Sequence, residues 1–229
     1  MKVEIQQGKN LANAAAKTPT LKHYIWSTLP NGSKISNGKY LVPHFEGKNK
    51  IDDYIRTLPD LLAKTTFLWI TFYGSNYQFP MFTPNFVKSS GKYVQLSATG
   101  PDVPIKSIGD VTKNIGYFTS AILAQPELTL GRFVLADVEE TTIGEMLKTW
   151  TKATGKPSVF TQVKNLAAYD AVWPNWGNEM GIMMQFWEEA GDKSWSGEDF
   201  LTKKELGLEN VKFATIEETF KTMDWTSIL

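Results

Sequence analysis

The stretch Thr66-Phe67-Leu68-Trp69-Ile70-Thr71-Phe72-Tyr73 decides the fold of this 229-residue chain. It is apolar almost throughout and lacks the alternation of a strand with one face in water. A similar run, His23-Tyr24-Ile25-Trp26-Ser27-Thr28-Leu29, precedes it, and residues 43–62 between the two runs have helical spacing. Strands that alternate with helices in this way predict an α/β fold with a parallel sheet covered by helices on both faces.

Further elements follow from the same patterns. The sequence predicts helices at residues 7–17 and 110–123, a loop at 30–39, and strands at 93–98, 103–107 and 132–136. The order Thr142-Ile143-Gly144-Glu145 has the spacing of a capping box and predicts a helix that runs to about Lys152. Another helix is expected from Gly177 to near Gly191, because apolar residues recur there at intervals of three and four.

Composition excludes several classes of function. Twenty-four basic side chains balance twenty-four acidic ones without forming a basic stripe, which disfavours direct binding to nucleic acid. There is no cysteine and there are two histidines, so a metal site is not expected. No glycine-rich phosphate loop, Walker motif or G-x-S-x-G elbow is present. Nothing reads as a signal peptide or a membrane span, and we expect a cytoplasmic protein that does not bind membranes.

Lys48 lies on the apolar stripe of the predicted helix. On helical geometry it projects within ~20° of Ile55 and ~60° of Ile51, with His44 about one turn before it. One explanation is that the lysine stem covers apolar surface while the ammonium stays in water. The other is an ammonium that faces an anionic or hydroxyl-bearing ligand in a cleft. The acidic pairs Asp52-Asp53 and Glu188-Glu189 are interpreted as solvated helix faces.

The ends of the two apolar strands offer a candidate ligand site. Tyr73-Gly74-Ser75-Asn76 follows one strand, while Ser27 and Thr28 end the other. In open α/β sheets, ligands bind outside the carboxyl ends of the strands, so these residues and Lys48 could meet one ligand. The alternative is that Gly, Ser and Asn simply form a turn there.

Tryptophans concentrate in the last third of the chain. The loop Trp173-Pro174-Asn175-Trp176 precedes a helix whose Met and Trp stripe is most simply core. Such aromatic residues can line an apolar pocket or close a small C-terminal subdomain over the sheet. The candidates for a substrate pocket are Trp173, Trp176, Met183 and Trp187.

Several short elements together resemble a known family. They are Gln7-Gly8-Lys9-Asn10-Leu11-Ala12, His23-Tyr24-Ile25-Trp26-Ser27, Val42-Pro43-His44-Phe45-Glu46-Gly47-Lys48 and Tyr73-x-x-Asn76. In this order they resemble the NmrA-like family, an atypical branch of the short-chain dehydrogenase/reductase superfamily. The resemblance runs from about Val3 to beyond Gly191.

The resemblance implies a Rossmann-type fold and NADP(H) as cofactor. It implies that Lys48 approaches the nicotinamide ribose and that Tyr73, Gly74, Ser75 and Asn76 line the nicotinamide end. Related reductases use the matching lysine in catalysis, so Lys48, assisted by Tyr73 or His44, is the catalytic candidate. This chain departs from the pattern in two places: Gln6 replaces a frequent lysine, and the usual tyrosine-x-x-x-lysine pair is absent because His44 stands at that spacing.

Family members normally begin with a strand, a glycine-rich turn and a helix that bind pyrophosphate, and this chain starts after them. We therefore expect a single domain with an incomplete Rossmann-type sheet in residues 1–92 and a smaller, mixed α+β substrate-side region in residues 93–229. Dinucleotide binding is expected to be weak or lost. The sheet would also have an exposed edge, open to a protein partner or a second copy.

Three functions remain open. The first is an NADP(H)-binding redox sensor or transcriptional regulator, located in the cytoplasm or also in the nucleus. The second is an enzyme acting on a small, aromatic metabolite: an NADPH-dependent reductase, or a cofactor-free isomerase or cyclase. Lys48 would act there as general acid or electrostatic stabiliser, assisted by Tyr73 or His44. The third is a protein-interaction module that recruits its partner through the exposed sheet edge.

Overall fold

The computed structural model describes residues 1–229. The helices are α1 (Lys2–Ala16), α2 (Gly32–Ile35), α3 (Pro43–Arg56), α4 (Pro59–Leu62), α5 (Val111–Ala124), α6 (Pro126–Thr129), α7 (Ile143–Thr154), α8 (Leu166–Val172), α9 (Gly177–Ala190) and α10 (Ile216–Thr222). The strands are β1 (Tyr24–Thr28), β2 (Thr65–Ile70), β3 (Phe72–Tyr73), β4 (Asn85–Val87), β5 (Lys92–Ser97), β6 (Pro104–Gly109), β7 (Phe133–Ala136), β8 (Glu139–Thr142), β9 (Ser158–Gln162) and β10 (Phe200–Leu201). No helix is both long enough and apolar enough to cross a bilayer.

The chain forms two compact units, each assembled from three separate segments. The first unit contains residues 1–70, 115–136 and 193–211, and the second contains residues 71–114, 137–192 and 212–229. Residue 92, where the sequence predicts the boundary between the two regions, lies inside the second unit. The division of the chain at that residue stays a prediction.

The first unit is built on a four-stranded sheet in the order β1-β2-β7-β10, with every neighbouring pair parallel. Strand β2 lies inside this sheet, and its first five residues are buried, as expected for a parallel strand covered on both faces. The predicted α/β class and parallel sheet are therefore confirmed. Strand β1 pairs only with β2, so it forms one edge of the sheet. Association through this edge stays a prediction.

Aromatic side chains tie the strands of the first unit together. Phe67 of β2 stacks on its register partner Phe133 of β7, with ring centroids 4.6 Å apart. Trp69, two residues further along β2, lies 5.1 Å from the same Phe133 ring. Ile51 and Ile55 of α3 are fully buried in this core. The apolar stripe predicted for α3 therefore packs on the sheet, which fixes how the rest of the helix is presented.

Helices α1 and α3 approach closely because glycines face the contact. A Cβ built on Gly8 of α1 would lie 2.2 Å from the Cδ1 of Ile51. A Cβ built on Gly47 of α3 would lie 2.7 Å from a carboxylate oxygen of Glu4. Small residues let two helix backbones come together, and here they bring Glu4 beside the first half of α3.

The second unit is mixed α+β. One three-stranded sheet has the order β3-β6-β8, and the other has the order β4-β5-β9; each combines one parallel and one antiparallel pair. Aromatic rings fill its interior: Trp150 packs against Tyr93 and Trp225, with centroid distances of 5.2 and 6.1 Å.

Several sequence predictions need correction. The apolar run at residues 66–73 is two strands, because after Thr71 the chain leaves the first sheet and β3 pairs with β6. The helix predicted over residues 43–62 ends at Arg56 and restarts at Pro59, which cannot continue a helix that precedes it. Helix α1 begins at Lys2, before the predicted start. The predicted loop at residues 30–39 contains the short helix α2.

Other boundaries are confirmed. Thr142 caps α7 by accepting a hydrogen bond of 3.1 Å from the backbone N–H of Glu145, as the capping spacing predicted. Helix α9 runs from Gly177 to Ala190 and ends at Gly191. The strands predicted near residues 93–98, 103–107 and 132–136 exist with shifts of one or two residues at their ends.

Candidate functional site

A buried carboxyl lies beside the carboxyl end of β1. Asp52 of α3 is 6% exposed; its Oδ1 accepts a hydrogen bond of 2.8 Å from Trp26 Nε1, and its Oδ2 accepts one of 2.7 Å from the Thr28 hydroxyl. Desolvation raises the pKa of Asp52 to about 7, although hydrogen bonds from Thr28, Trp26 and Asn49 and the nearby charge of Arg56 act in the opposite direction. The side chain can therefore hold or release a proton near neutral pH.

A small polar cavity adjoins this carboxyl. Its volume is about 30 Å³, enough for a water molecule, and Asp52, Asn49, Arg56 and Glu198 are among the residues that line it. Asn49 donates a hydrogen bond of 2.7 Å to the Leu29 carbonyl, while its own Oδ1 is buried without a partner. The Arg56 guanidinium pairs with Glu198 at 2.9 Å. These groups fit a bound water that satisfies the Asn49 oxygen.

Lys48 sits on the same helix, at its contact with α1 and β1. Its Nζ lies 3.2 Å from a carboxylate oxygen of Glu4 and 5.2 Å from the centre of the Trp26 ring. The side chain is 29% exposed. The lysine stem thus covers apolar surface while the ammonium is paired near the surface, an arrangement close to the structural explanation offered for this residue.

The remaining candidate site residues of the first unit differ in their exposure and contacts. Ser27 is exposed on β1. Thr28 is 1% exposed and its hydroxyl is committed to Asp52, so only Ser27 presents a hydroxyl to solvent. His44 follows Pro43 in the first turn of α3, and its ring meets that of Phe45 edge-on at 4.8 Å.

Tyr73, Gly74, Ser75 and Asn76 belong to the second unit, where β3 passes into a 3-10 turn at Gly74–Gln78. A Cβ on Gly74 would lie 2.8 Å from the Cγ2 of Thr219, so packing alone requires this glycine. Burial raises the pKa of Tyr73, whose phenol stays protonated at neutral pH. The side-chain amide of Asn76 makes no hydrogen bond within the chain.

The second unit also contains a large apolar pocket of about 490 Å³. Trp173 and Trp176, two of the predicted pocket residues, both line it. Met183 and Trp187, each 5% exposed, lie in the interior, and Trp187 borders a separate cavity of about 20 Å³. Of the four residues predicted to line a substrate pocket, the structure therefore brings two together, Trp173 and Trp176.

Asp52 is the residue that the sequence interpretation missed. The sequence pattern predicts a solvated face for Asp52 and Asp53 together, yet only Asp53 is exposed. The signal was present in the spacing, because Lys48, Ile51, Asp52 and Ile55 fall at i, i+3, i+4 and i+7 and share one helix face. A carboxyl on that face must be buried, and buried carboxyls need hydrogen-bond donors such as those of Trp26 and Thr28.

Comparison with known sequences identifies relatives along most of the chain. A profile of the NmrA-like family matches residues 1–224. An NmrA-like family domain-containing protein of Dictyostelium discoideum is 27% identical over 230 residues, which cover 97% of this chain and 70% of the relative. The nitrogen metabolite repression protein nmrA of Emericella nidulans is 30% identical over 105 residues, covering 44% of this chain and 28% of the relative.

Solved structures share the fold. NmrA, a negative transcriptional regulator, in complex with NADP matches with a TM-score of 0.74 at 19% identity, and in complex with NAD with a TM-score of 0.73 at 20% identity. Each match covers 96% of this chain and 69% of that chain. The NADPH complex of an NADPH-dependent quinone oxidoreductase from Escherichia coli matches with a TM-score of 0.61 at 15% identity, covering 93% and 69%. At these identities the likeness shows the fold alone.

Proposed function

The chain belongs to the NmrA-like family, and from this premise we propose that it is a redox sensor that responds to NADP(H). Proteins of the same fold include NmrA in complex with NAD and with NADP, and that protein is a negative transcriptional regulator. We extend the proposal accordingly: the regulated process is transcription, through a protein partner and without direct contact to nucleic acid.

The proposal rests on the partial exposure and weak pairing of the Lys48 ammonium. It is partly exposed and held by a single ion pair to Glu4, itself 35% exposed. Ion pairs of this kind contribute about 0–1 kcal/mol, so a ligand hydroxyl or carbonyl can replace Glu4 at small cost. A lysine that is preplaced against Trp26 and weakly held is suited to binding a ligand reversibly.

The residues fit one end of a dinucleotide. An ammonium at Lys48 suits the ribose hydroxyls, which can accept its hydrogen bonds. The pyrophosphate normally rests on backbone N–H groups of a glycine-rich turn, and this sequence contains no such motif. We assign Lys48 and Ser27, both in the first unit, to the ribose that carries the nicotinamide.

Within this proposal each side chain has a binding role. Lys48 donates to the ribose hydroxyls, and the exposed hydroxyl of Ser27 can donate to them or accept from them. The bound dinucleotide supplies a hydride donor or acceptor, and a sensor needs only to distinguish the two redox states.

The test is a titration of the chain with NADPH, followed by energy transfer from tryptophan to the reduced nicotinamide. Trp26 is a suitable donor because its ring lies 5.2 Å from the Lys48 ammonium. The informative variant is Lys48→Met, which keeps the apolar stem and removes the charge. Lys50→Met is the matched control, because Lys50 is an exposed lysine on the same helix.

We expect saturable binding by the native chain and by Lys50→Met, and binding at least about tenfold weaker in Lys48→Met. Equal dissociation constants for the native chain and Lys48→Met would remove Lys48 from the site. A folded native chain that shows no saturable binding would overturn the proposal.

A further inference from the structure

The apolar pocket of the second unit is a preformed concavity between two chain segments. One wall comes from residues 76–82, which begin within the 3-10 turn, and the other from residues 172–180, where α8 passes into α9. Its volume of about 490 Å³ falls within the usual range for small-molecule sites, roughly 300–1,000 Å³. The lining residues are Asn76, Phe79, Pro80, Met81, Phe82, Val172, Trp173, Pro174, Trp176 and Met180.

Hydrogen bonds and close packing hold both walls in place. The buried hydroxyl of Tyr169 donates a hydrogen bond of 2.8 Å to the Met81 carbonyl and so joins one wall to the other. The Thr83 hydroxyl reaches the carbonyls of Tyr77 and Phe79, at 2.7 and 2.9 Å. The pocket is therefore part of the packed structure, and a ligand would not have to order it.

The wall formed by residues 172–180 is also held in place. A Cβ on Gly177 would lie 2.6 Å from the Cα of Asp170, so the backbones of α8 and α9 meet directly. The Asp170 carboxylate also accepts a hydrogen bond of 2.8 Å from the backbone N–H of Asn178. Trp173 and Trp176, in the loop between these helices, are thus carried on a rigid support.

Large apolar side chains remain exposed around the pocket. Trp176 is 56% exposed, Phe79 is 55% exposed and Val172 is 43% exposed. Exposed apolar residues that cluster around a concavity indicate a binding site more strongly than residues scattered singly. An occupant with flat apolar faces would cover all three side chains at once.

The lining also defines the chemistry of the occupant. None of the lining side chains is charged, which disfavours an ionic ligand. Asn76 is the one lining residue with an amide, and that amide has no partner within the chain. The indole rings and Phe79 favour planar rings. The ligand needs an apolar body and one polar group.

We propose that this pocket binds a neutral, planar molecule of two or three fused rings that carries a carbonyl group, with Asn76 donating to the carbonyl oxygen and Trp176 covering a ring face. Nicotinamide binding at Lys48 is not required for this interaction. The pocket would therefore add a small-molecule input to the regulatory role. A pocket that binds no probe can be distinguished from a chain that binds no dinucleotide, because the two ligands are titrated separately.

The experiment compares two probes of nearly equal shape, 2-acetonaphthone and 2-ethylnaphthalene. Only the first carries a carbonyl oxygen. Binding of each probe is titrated by saturation-transfer NMR on the full chain without dinucleotide. We expect saturable binding of both probes, with the ketone bound at least about threefold more tightly.

Three variants locate the interaction. Trp176→Ala should weaken binding of both probes at least about tenfold. Phe86→Ala is the matched control, since Phe86 is a similarly exposed aromatic residue of the same unit, 53% exposed on β4, and should leave both dissociation constants unchanged. Asn76→Leu should abolish the preference for the ketone while the hydrocarbon still binds. Circular dichroism verifies that each variant is folded.

Three results would overturn the proposal. They are no saturable binding by the folded chain, equal binding by the native chain and Trp176→Ala, or equal affinities of the native chain for ketone and hydrocarbon.

Discussion

The indole Nε1 of Trp26 donates a hydrogen bond of 2.8 Å to Oδ1 of Asp52, which fastens the edge strand β1 to helix α3. Thr28 of the same strand donates to the other carboxyl oxygen at 2.7 Å. One buried carboxyl thus holds two residues of a strand that has a sheet neighbour on one side only. Lys48, one turn earlier on α3, rests on the other side of this contact, over the Trp26 ring.

The first prediction concerns pH. Because the pKa of Asp52 rises from its usual 3.8 to about 7 in the folded chain, the folded state keeps a proton that the unfolded state has lost between these values. The contribution of Asp52 is therefore full below about pH 4 and declines as the pH rises towards 7, by on the order of 4 kcal/mol in total. Urea unfolding at several pH values measures this slope.

Asp52→Asn should flatten that slope. The amide oxygen can still accept from Trp26, and the amide nitrogen can donate to the Thr28 hydroxyl, so the fold is kept while the titration is removed. Asp53→Asn, at the exposed neighbouring position, should retain the native slope. An unchanged slope in Asp52→Asn would show that another group carries the pH dependence.

The second prediction concerns helix packing. Gly8→Ala should destabilise the chain by about 1–3 kcal/mol, since the added methyl would lie 2.2 Å from the fully buried Ile51. Gly116→Ala should have the opposite effect. Gly116 lies within α5, and a Cβ built there has no heavy atom within 4 Å, so the substitution should stabilise the chain by about 0.5–1 kcal/mol. Thermal unfolding of both variants measures the two signs, and a neutral Gly8→Ala would contradict the close contact of α1 with α3.

The third prediction concerns α10, whose start forms a complete capping box. Thr215 accepts a hydrogen bond from the N–H of Glu218, whose carboxylate accepts one in return from the N–H of Thr215. Thr215→Ala should cost about 1 kcal/mol of unfolding free energy. Thr222→Ala, at the exposed end of the same helix, should change stability by less than about 0.5 kcal/mol. Equal effects of the two changes in urea unfolding would argue against the cap.

The sequence predicted the parallel sheet because its strands are buried on both faces and therefore read as unbroken apolar runs, as in β2. The same lack of alternation hid the break at Thr71, since Phe72 is apolar and buried in the next sheet as well. The local hydrophobic pattern of a sequence indicates that a strand is buried, but it does not indicate which sheet the strand joins.

The candidate site was predictable in part for similar reasons. The i, i+3, i+4 spacing on α9 indicated core, and Met183 and Trp187 are buried accordingly. Trp173 and Trp176 lie in a loop without periodicity, so their meeting with residues 76–82 depends on tertiary packing. Asp52 was missed because adjacent acidic residues usually indicate solvent, whereas helix geometry separates their side chains by ~100°.

The measurement that tests the central claim most directly is isothermal titration calorimetry of the full chain with NADPH and with NADP⁺ under identical conditions. A sensor that switches between an empty and an occupied state must bind the two forms with different free energies. With equal affinities, the occupied fraction would depend on the total dinucleotide concentration and not on its redox state. We predict dissociation constants that differ at least about tenfold, which is about 1.4 kcal/mol. Equal constants for the two forms, or no heat of binding from either, would contradict the account.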